Sequence, residues 1–303
     1  MGGRRIRGEA VQDMAQEFPE LLNMRKVRIG IDDSFNWVVE HWSETLEEIF
    51  LPIVHLLRAI EDFLLWMPWY VVVLAIAGLG LAATRSKWVA LGLGVMTFLM
   101  GFFGLWEPGM KTIALMLTAT LLAVIVGIPM GILMSRSDRV ERITLPVLDI
   151  MQTMPIFVYL IPFVMLFGPG KIPALLATIV FAVPPVIRLT NLGIRHVDRE
   201  VVEAFTAFGA TRRQLLFGVQ VPLALPTIMA GINQTTMMAL AMVVIASMIG
   251  AGGLGYQVLQ GIQRLEISRG LLAGLAIVFL AVIFDRIAQA YGKRMQQHLH
   301  LGH

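Results

Sequence analysis

The stretch PLALPTIMAGINQTTMMALAMVVIASMIG, residues 222–250, contains no Asp, Glu, Lys or Arg. It is longer than the roughly 20 residues that one helix needs to cross a bilayer. Runs with little or no charge also occupy 66–84, 88–106, 112–134, 143–170, 172–187 and 270–289. Because lipid satisfies no backbone hydrogen bonds and the runs do not alternate between apolar and polar residues, they predict helices. The sequence therefore predicts an all-α, polytopic membrane protein with about seven transmembrane helices.

The composition supports a membrane protein and excludes several other classes. Of the 303 residues, 57% are hydrophobic and 15% are charged, whereas globular chains average about 25% charged residues. The absence of cysteine excludes a disulfide-stapled scaffold, thiol catalysis and thiolate metal sites. Because 24 Lys and Arg are balanced by 21 Asp and Glu, the net charge does not argue for a nucleic-acid partner.

Basic residues in the short loops predict how the chain is oriented in the membrane. If the loops at 85–87, 135–142 and 188–221 share one side with the C-terminal tail, that side carries Arg85, Lys87, Arg136, Arg139, Arg142, Arg188, Arg195, Arg199, Arg212, Arg213, Arg286, Lys293 and Arg294. The loops of the opposite side carry only Lys111, Lys171, Arg264 and Arg269. The first side is therefore predicted to be cytoplasmic.

This orientation divides the chain into three parts. Residues 1–65 are predicted to form an extracytoplasmic tail, in which 37–65 have the spacing of an amphipathic helix that lies on a membrane face. Residues 66–292 form the predicted transmembrane domain, and residues 293–303 form a cytoplasmic tail. The tail contains His298, His300 and His303, which are interpreted as solvated side chains, so no metal site is predicted.

The longest polar insert between predicted spans covers about 196–221. Within it, Gly209 suits a positive φ that ends one short helix. Thr211 followed by Gln214 has the form of a capping box that starts another. Small alanines on the first of these helices would let a partner groove approach closely. Two interpretations remain open from the residues alone: an ordinary cytoplasmic helical hairpin, or a docking element for a partner.

Polar side chains also occur at membrane depth, in the runs 143–170 and 222–250. One patch contains Asp149 and Gln152, just before Pro155. Polar groups at such depth either hydrogen-bond between helices or face a water-filled path, and both interpretations remain open. The candidate translocation-path residues are Gln152, Asn233, Gln234, Thr235, Thr236 and Met237.

Several glycine motifs have structural rather than nucleotide-binding interpretations. The glycines at 250–255 follow an apolar helical run, whereas the dinucleotide fingerprint follows a strand, so a tight turn is predicted there. The sequence GPGK at 168–171 continues with Ile172, where the Walker pattern requires Ser or Thr. The chain is therefore predicted to bind no ATP and no other cofactor. Gly127 and Gly131 form a GxxxG pair, which predicts close helix packing.

A family resemblance is carried by the polar insert. Glu203, Ala204, Gly209, Val221, Pro222 and Pro226 resemble, in identity and spacing, the EAA loop that permeases of ABC importers insert into their ATPase as a coupling helix. Phe205 and Phe208 depart from the usual Ala and Leu of that loop. The segments DIMQTMPIFVYLIPFVMLFGPGKIP at 149–173 and GINQTTMMALAMVVIASMIGAGGLG at 231–255 look more narrowly like glycine betaine/proline betaine permeases of the ProW type. The resemblance covers residues 66–292.

This resemblance implies a MetI-like permease core in a bacterial inner membrane and no covalent chemistry by the chain itself. ATP and Mg²⁺ would be held by two copies of a partner ATPase. The other implied partners are a second copy of this chain, membrane lipid and an extracytoplasmic binding protein that delivers a betaine-type osmolyte for osmoprotection. The implied coupling residues are Glu203, Ala204, Ala207, Gly209 and Pro222.

Other functions remain as alternatives. The substrate could be another small zwitterion or related solute, such as choline, carnitine or an amino acid. An ion-coupled secondary transporter would need paired ionisable residues near mid-membrane and repeated, interrupted halves, and the sequence shows almost no mid-depth charge and no clear repeat. A membrane scaffold without transport would leave the polar run at 233–236 unexplained.

Overall fold

The apolar runs form helices throughout the part of the chain that the structure describes. The computed structural model describes residues 24–300, with side chains to residue 292, and all regular structure in that range is helical. The helices are α1 (Met24–Trp66), α2 (Trp69–Thr84), α3 (Lys87–Phe102), α4 (Trp106–Arg136), α5 (Asp138–Thr153), α6 (Ile156–Phe167), α7 (Lys171–Arg195), α8 (Arg199–Ala207), α9 (Arg212–Leu215), α10 (Val221–Ala246), α11 (Leu254–Gln263) and α12 (Ile267–His300). A π-turn covers Leu216–Gln220, and a 3₁₀ turn covers Ser247–Ile249.

The chain separates into two compact units, residues 1–48 and residues 49–303. Of the first unit, the structure describes 24–48, which are helical and mainly exposed. In the second unit, the end of α1 buries Val54, Leu57 and Glu61. The Glu61 carboxylate lies 2.6 Å from Lys171 Nζ at the start of α7. The amphipathic helix predicted at 37–65 is thus part of a longer helix, and the extracytoplasmic location of 1–65 stays a prediction.

Four helical segments of the described chain are long and apolar enough to cross a membrane without a break: Trp106–Arg136, Lys171–Arg195, Arg212–Ile249 and Ile267–Gly292. The number rises to 6 if each of two bent helix pairs, α1 with α2 and α5 with α6, counts as one span. Helix α3 is apolar, but its 16 residues make it shorter than these four segments. The multi-spanning architecture is confirmed, and the count of seven stays a prediction.

Helix α7 packs against both α4 and α10 through glycines. A Cβ atom at Gly131 of α4 would lie 2.5 Å from Thr190 Cβ and 2.7 Å from the Ile187 carbonyl oxygen. A Cβ atom at Gly231 of α10 would lie 3.2 Å from Val186 Cα. The close packing predicted from Gly127 and Gly131 is confirmed, because a Cβ atom at Gly127 would also lie only 2.3 Å from Val186 Cγ1, so neither position has room for a side chain without a shift.

The run 143–170 is two helices instead of the continuous span that the sequence predicts. Helices α5 and α6 meet at an angle of 95°. Pro155 has no N–H group, so the carbonyl of Met151, four residues earlier, loses its helical partner. The Tyr159 hydroxyl donates a hydrogen bond to that carbonyl across the break. Tyr159 is buried and meets Phe181 of α7 edge to face, with ring centroids 5.6 Å apart.

The predicted end of the fifth apolar run at residue 187 is also wrong. Helix α7 continues through Arg188 to Arg195. Arg188 remains within the helix because its guanidinium lies 2.7 Å from the Asp149 carboxylate, which offsets its charge. The tight turn predicted at 250–255 is confirmed, since Gly250, Gly252 and Gly253 all have positive φ.

Candidate functional site

Helix α8, in the polar insert, is uncovered in this subunit. Asp198 caps it by accepting a hydrogen bond from the Glu200 N–H group at 2.9 Å. None of its residues is buried. The ring of Phe205 is 46% exposed, and that of Phe208, at its end, is 92% exposed. The coupling candidates Glu203, Ala204 and Ala207 are likewise exposed.

The turn after α8 has the conformation that the sequence predicts. Gly209 has φ +81°. Its N–H group donates to the Thr206 carbonyl, and the next N–H group, of Ala210, donates to the Phe205 carbonyl. This pair of bonds is a Schellman motif. A capping box between Thr211 and Gln214 then starts α9. Both local predictions are confirmed.

Between α9 and α10 the chain forms a π-turn that sequence reasoning missed. The Val221 N–H group donates to the Leu216 carbonyl, five residues earlier. Pro222 follows as the second residue of α10. A proline ring there would clash with the Gly218 carbonyl in a regular α-helix, and the wider turn relieves this clash. The signal available in the sequence was Pro222 itself.

A shallow depression of about 380 Å³ joins α8 to this turn. It is lined by Phe205, Phe208, Gly209, Ala210, Gln214, Gly218 and Val219. The depression therefore combines two uncovered phenylalanines with small residues, which is a shape that an apolar side chain of a partner can enter.

The polar run of α10 does not share one face of the helix, because consecutive helical residues point about 100° apart. Gln234 is exposed, Asn233 and Met237 are half-buried, and Thr235 and Thr236 are buried. Asn233 lines a cavity of about 180 Å³ that is also lined by Ala288 and Gln289 of α12. The Thr236 hydroxyl donates to the Ile232 carbonyl. Among described residues, the Asn233 Oδ1 and Thr235 Oγ1 atoms have no hydrogen-bond partner.

The patch at Asp149 and Gln152 has partners that the sequence did not indicate. Both side chains are exposed in this subunit, and Asp149 pairs with Arg188 of α7. Nearer the polar insert, Arg195 of α7 pairs with Asp138 and Glu141 of α5 at 2.8 and 3.0 Å. No contact joins Gln152 to the polar run of α10 among the described hydrogen bonds.

Within the residues searched for metal sites, which are those the structure describes, no group of three or more His, Cys, Asp or Glu side chains could hold a metal ion. The tail histidines at 298–303 lie outside the described side chains.

Comparison with known families identifies the fold. The family described as "Binding-protein-dependent transport system inner membrane component" matches residues 123–297. The chain belongs to this permease family. The predicted family, the all-α fold and the inner-membrane location of the permease are thereby confirmed. The permease is a transport subunit and not an enzyme, and its family works with an ATPase and a substrate-binding protein.

Individual relatives agree with this assignment. The permease is 47% identical over 265 residues to the glycine betaine/proline betaine transport system permease protein ProW of Escherichia coli K12, covering 87% of this chain and 74% of that protein. It is 45% identical to the glycine betaine/carnitine transport permease protein GbuB of Listeria monocytogenes, covering 82% and 90%. The inward-facing MetNI methionine ABC transporter shares its fold, with a TM-score of 0.55 at 22% identity, covering 64% of this chain and 95% of that one.

Proposed function

We propose that the permease imports glycine betaine, proline betaine or a closely related osmolyte. Two copies of the permease would form the path, two ATP-binding subunits would hold ATP and Mg²⁺, and an extracytoplasmic binding protein would deliver the solute. The substrate class rests on relatives that are 45 to 47% identical over most of the chain and whose names specify glycine betaine.

The observation that carries the coupling role is the uncovered surface of α8. A nine-residue helix with no buried side chain gains little stability from its own subunit, since helices of this length are marginal in water. Its exposed phenylalanines therefore favour a partner that covers them. Only residues 196–198 separate α7 from α8. A partner that shifts α8 therefore also shifts α7. Nucleotide binding by that partner can then favour one arrangement of the spans.

The proposed path includes Gln152 and Gln234, each of which is exposed in one subunit. An exposed amide in contact with lipid would be unfavourable, so these positions are better suited to face a second copy and a water-filled path. Asn233, Met237 and the buried Thr235 and Thr236 would border the path from within the subunit. In this proposal 1–65 lie outside, and 196–221 and the tail at 293–303 lie in the cytoplasm.

The function is tested in proteoliposomes that contain the permease and its cognate ATPase, with binding protein outside and ATP inside. We expect uptake of radiolabelled glycine betaine only when ATP, ATPase and binding protein are all present. Native mass spectrometry should give two copies of the permease and two of the ATPase. Uptake driven by an ion gradient without ATP would contradict the coupling proposal, and ATP-dependent uptake of choline but not betaine would contradict the substrate.

The docking role of α8 is tested by a separate variant. Phe208→Ala removes the most exposed ring of the loop and should reduce co-purification of the ATPase. The matched control is Phe157→Ala, which removes a ring of α6 that is 64% exposed but lies outside the polar insert. Equal ATPase recovery from both variants would contradict docking at this surface.

A further inference from the structure

Helix α5 is held to the rest of the subunit by a small apolar contact and by a row of polar contacts. Leu148 is its only fully buried residue, and the partly buried Val140, Leu145 and Met151 pack around the same apolar cluster. Four polar contacts also join it to α7, and we call this set the α5–α7 seam. They are Asp149 to Arg188 at 2.7 Å, Asp138 to Arg195 at 2.8 Å, Glu141 to Arg195 at 3.0 Å and Glu141 to Asn191 at 2.7 Å.

The seam runs along both helices. Arg188 and Arg195 are seven residues apart on α7, and Glu141 and Asp149 are eight residues apart on α5. At 1.5 Å per residue, each interval is about two helical turns, or roughly 10–12 Å. The two helices run antiparallel, so the contacts of Arg195 and the contact of Arg188 lie about two turns apart on both helices. A shift of α7 along its axis therefore pulls on α5 at two separate points.

Arg195 is placed where the coupling loop meets the membrane domain. It is the last residue of α7, and α8 begins four residues later at Arg199. Besides its two carboxylate partners, its Nη2 donates to the Met134 carbonyl near the end of α4 at 2.9 Å, and its Nε donates to Asn191 Oδ1 at 3.1 Å. One guanidinium thus joins the end of α7 to the beginning of α5 and the end of α4.

The opposite end of α5 is the break at Pro155, next to Gln152 of the proposed path. A helix with one fully buried side chain and a break at one end is not fixed by apolar packing alone, so its position also depends on the seam. Ion pairs that are partly shielded from water are stronger than fully exposed ones. The Glu141 and Arg195 side chains are 24% and 30% exposed, which is within this partly shielded class.

We propose that Arg195 is a positioning residue for transport, which makes α5 follow α7 when α8 is moved by the ATPase, with the Arg188–Asp149 pair as the second attachment. The proposal rests on the proposed import function. Through the seam, a displacement at the coupling loop reaches the break at Pro155 without contact between α8 and α5.

The first test is Arg195→Gln in the reconstituted complex, with the number of solute molecules imported per ATP hydrolysed as the readout. Coupling between two sites commonly amounts to a factor of about 5 or more, so we expect this ratio to fall at least about fivefold while the ATPase still co-purifies. The matched control is Arg142→Gln, beside Glu141. Arg142 is exposed and has no ion pair among the described residues, so this variant should keep the wild-type ratio.

The second test exchanges the charges of Arg188 and Asp149. Arg188→Asp places two carboxylates together and should lower the transport ratio. The double variant Arg188→Asp with Asp149→Arg restores an opposite-charge pair and should recover most of it. A double variant no better than the single one would show that the pair does not act through its attraction, and would overturn the proposal.

The third test separates positioning from mere stability, and it uses the absence of native cysteine. A variant carrying Asp138→Cys and Arg195→Cys should be poorly coupled as thiols and should recover when a short bifunctional thiosulfonate bridges them within one subunit. Failure to recover, or wild-type coupling before bridging, would overturn the proposal. Every ratio is measured beside wild type: absent betaine uptake by wild type would refute the proposed function, whereas intact wild-type uptake with a fully coupled Arg195→Gln would refute only this inference.

Discussion

Replacing Gly209 by valine is expected to separate ATP hydrolysis from transport. Gly209 has φ +81°, a conformation that costs an L-residue about 1–2 kcal/mol. Nothing lies within 4 Å of a Cβ atom built at this position, so the effect of a side chain is conformational and not steric. The strain would open the Schellman bonds of Gly209 and Ala210 and change the angle at which α8 leaves the turn.

The size of the effect follows from comparison with the coupling free energy. Allosteric coupling typically amounts to about 1–3 kcal/mol, so 1–2 kcal/mol of strain removes a large part of it. Since about 1.4 kcal/mol corresponds to a factor of ten, we expect the solute imported per ATP to fall by about 5- to 30-fold. The bundle itself should remain folded, because the turn lies outside the packed helices.

The assay is betaine uptake against ATP hydrolysis in proteoliposomes, with ATPase co-purification as the check on assembly. The matched control is Gly78→Ala on α2, since Gly78 also has open space around its Cβ position but is not among the residues with positive φ and lies outside the polar insert. Gly209→Asn should fall between wild type and valine, because Asn tolerates positive φ better than other non-glycine residues. Wild-type coupling by Gly209→Val would refute the argument that this turn sets the position of α8.

Three further predictions test the fold. Gly131→Ala should lower the melting temperature of the purified permease, since overpacking of this kind costs about 1–3 kcal/mol. Gly92→Ala, which meets nothing within 4 Å, should leave the melting temperature unchanged or raise it, and equal melting of the two variants would contradict the tight α4–α7 contact. Tyr159→Phe should lower the free energy of unfolding by about 0.5–1.5 kcal/mol, because it leaves the part-buried Met151 carbonyl at the helix break without this partner; chemical denaturation measures this, and a wild-type midpoint would contradict the bond. In this cysteine-free chain, Ser137→Cys should be labelled only from the cytoplasm and Gln263→Cys only from outside, and the opposite pattern would reverse the predicted orientation.

Features that depend on neighbouring residues alone were predictable from the sequence. The turn at Gly209 and the capping box at Thr211 each involve groups within a few residues, so the sequence contains all of their determinants. The GxxxG pair at Gly127 and Gly131 could also be recognised, although its partner on α7 could not. The apolar runs likewise predicted where helices occur, because burial in lipid requires them.

Features that depend on contacts between distant residues were not predictable in the same way. A charge normally argues for the end of a span, so Arg188 suggested that α7 ended before it. The helix continues because Asp149, thirty-nine residues away, faces it. Similarly, apolarity indicates that 143–170 is buried but says nothing about its path, and the bend at Pro155 is stabilised by Tyr159 only once α6 has folded back.

The contacts around α7 are of two kinds, and this difference indicates where conformational change occurs. On the sides of α4 and α10, glycines allow backbone approach so close that a shift in register would bring Cβ atoms into collision, so these three helices behave as one body. On the side of α5, no glycine brings the backbones together: Leu148 is the only fully buried side chain, and long charged side chains, which can follow small shifts without collision, make the polar contacts. The helix whose position depends most on side chains is therefore α5, and the charged residues that act on it are those of the seam. Import requires one part of the subunit to move relative to another, and by this reasoning the segment from Asp138 to the break at Pro155 moves with the body of α4, α7 and α10 only while the seam is intact.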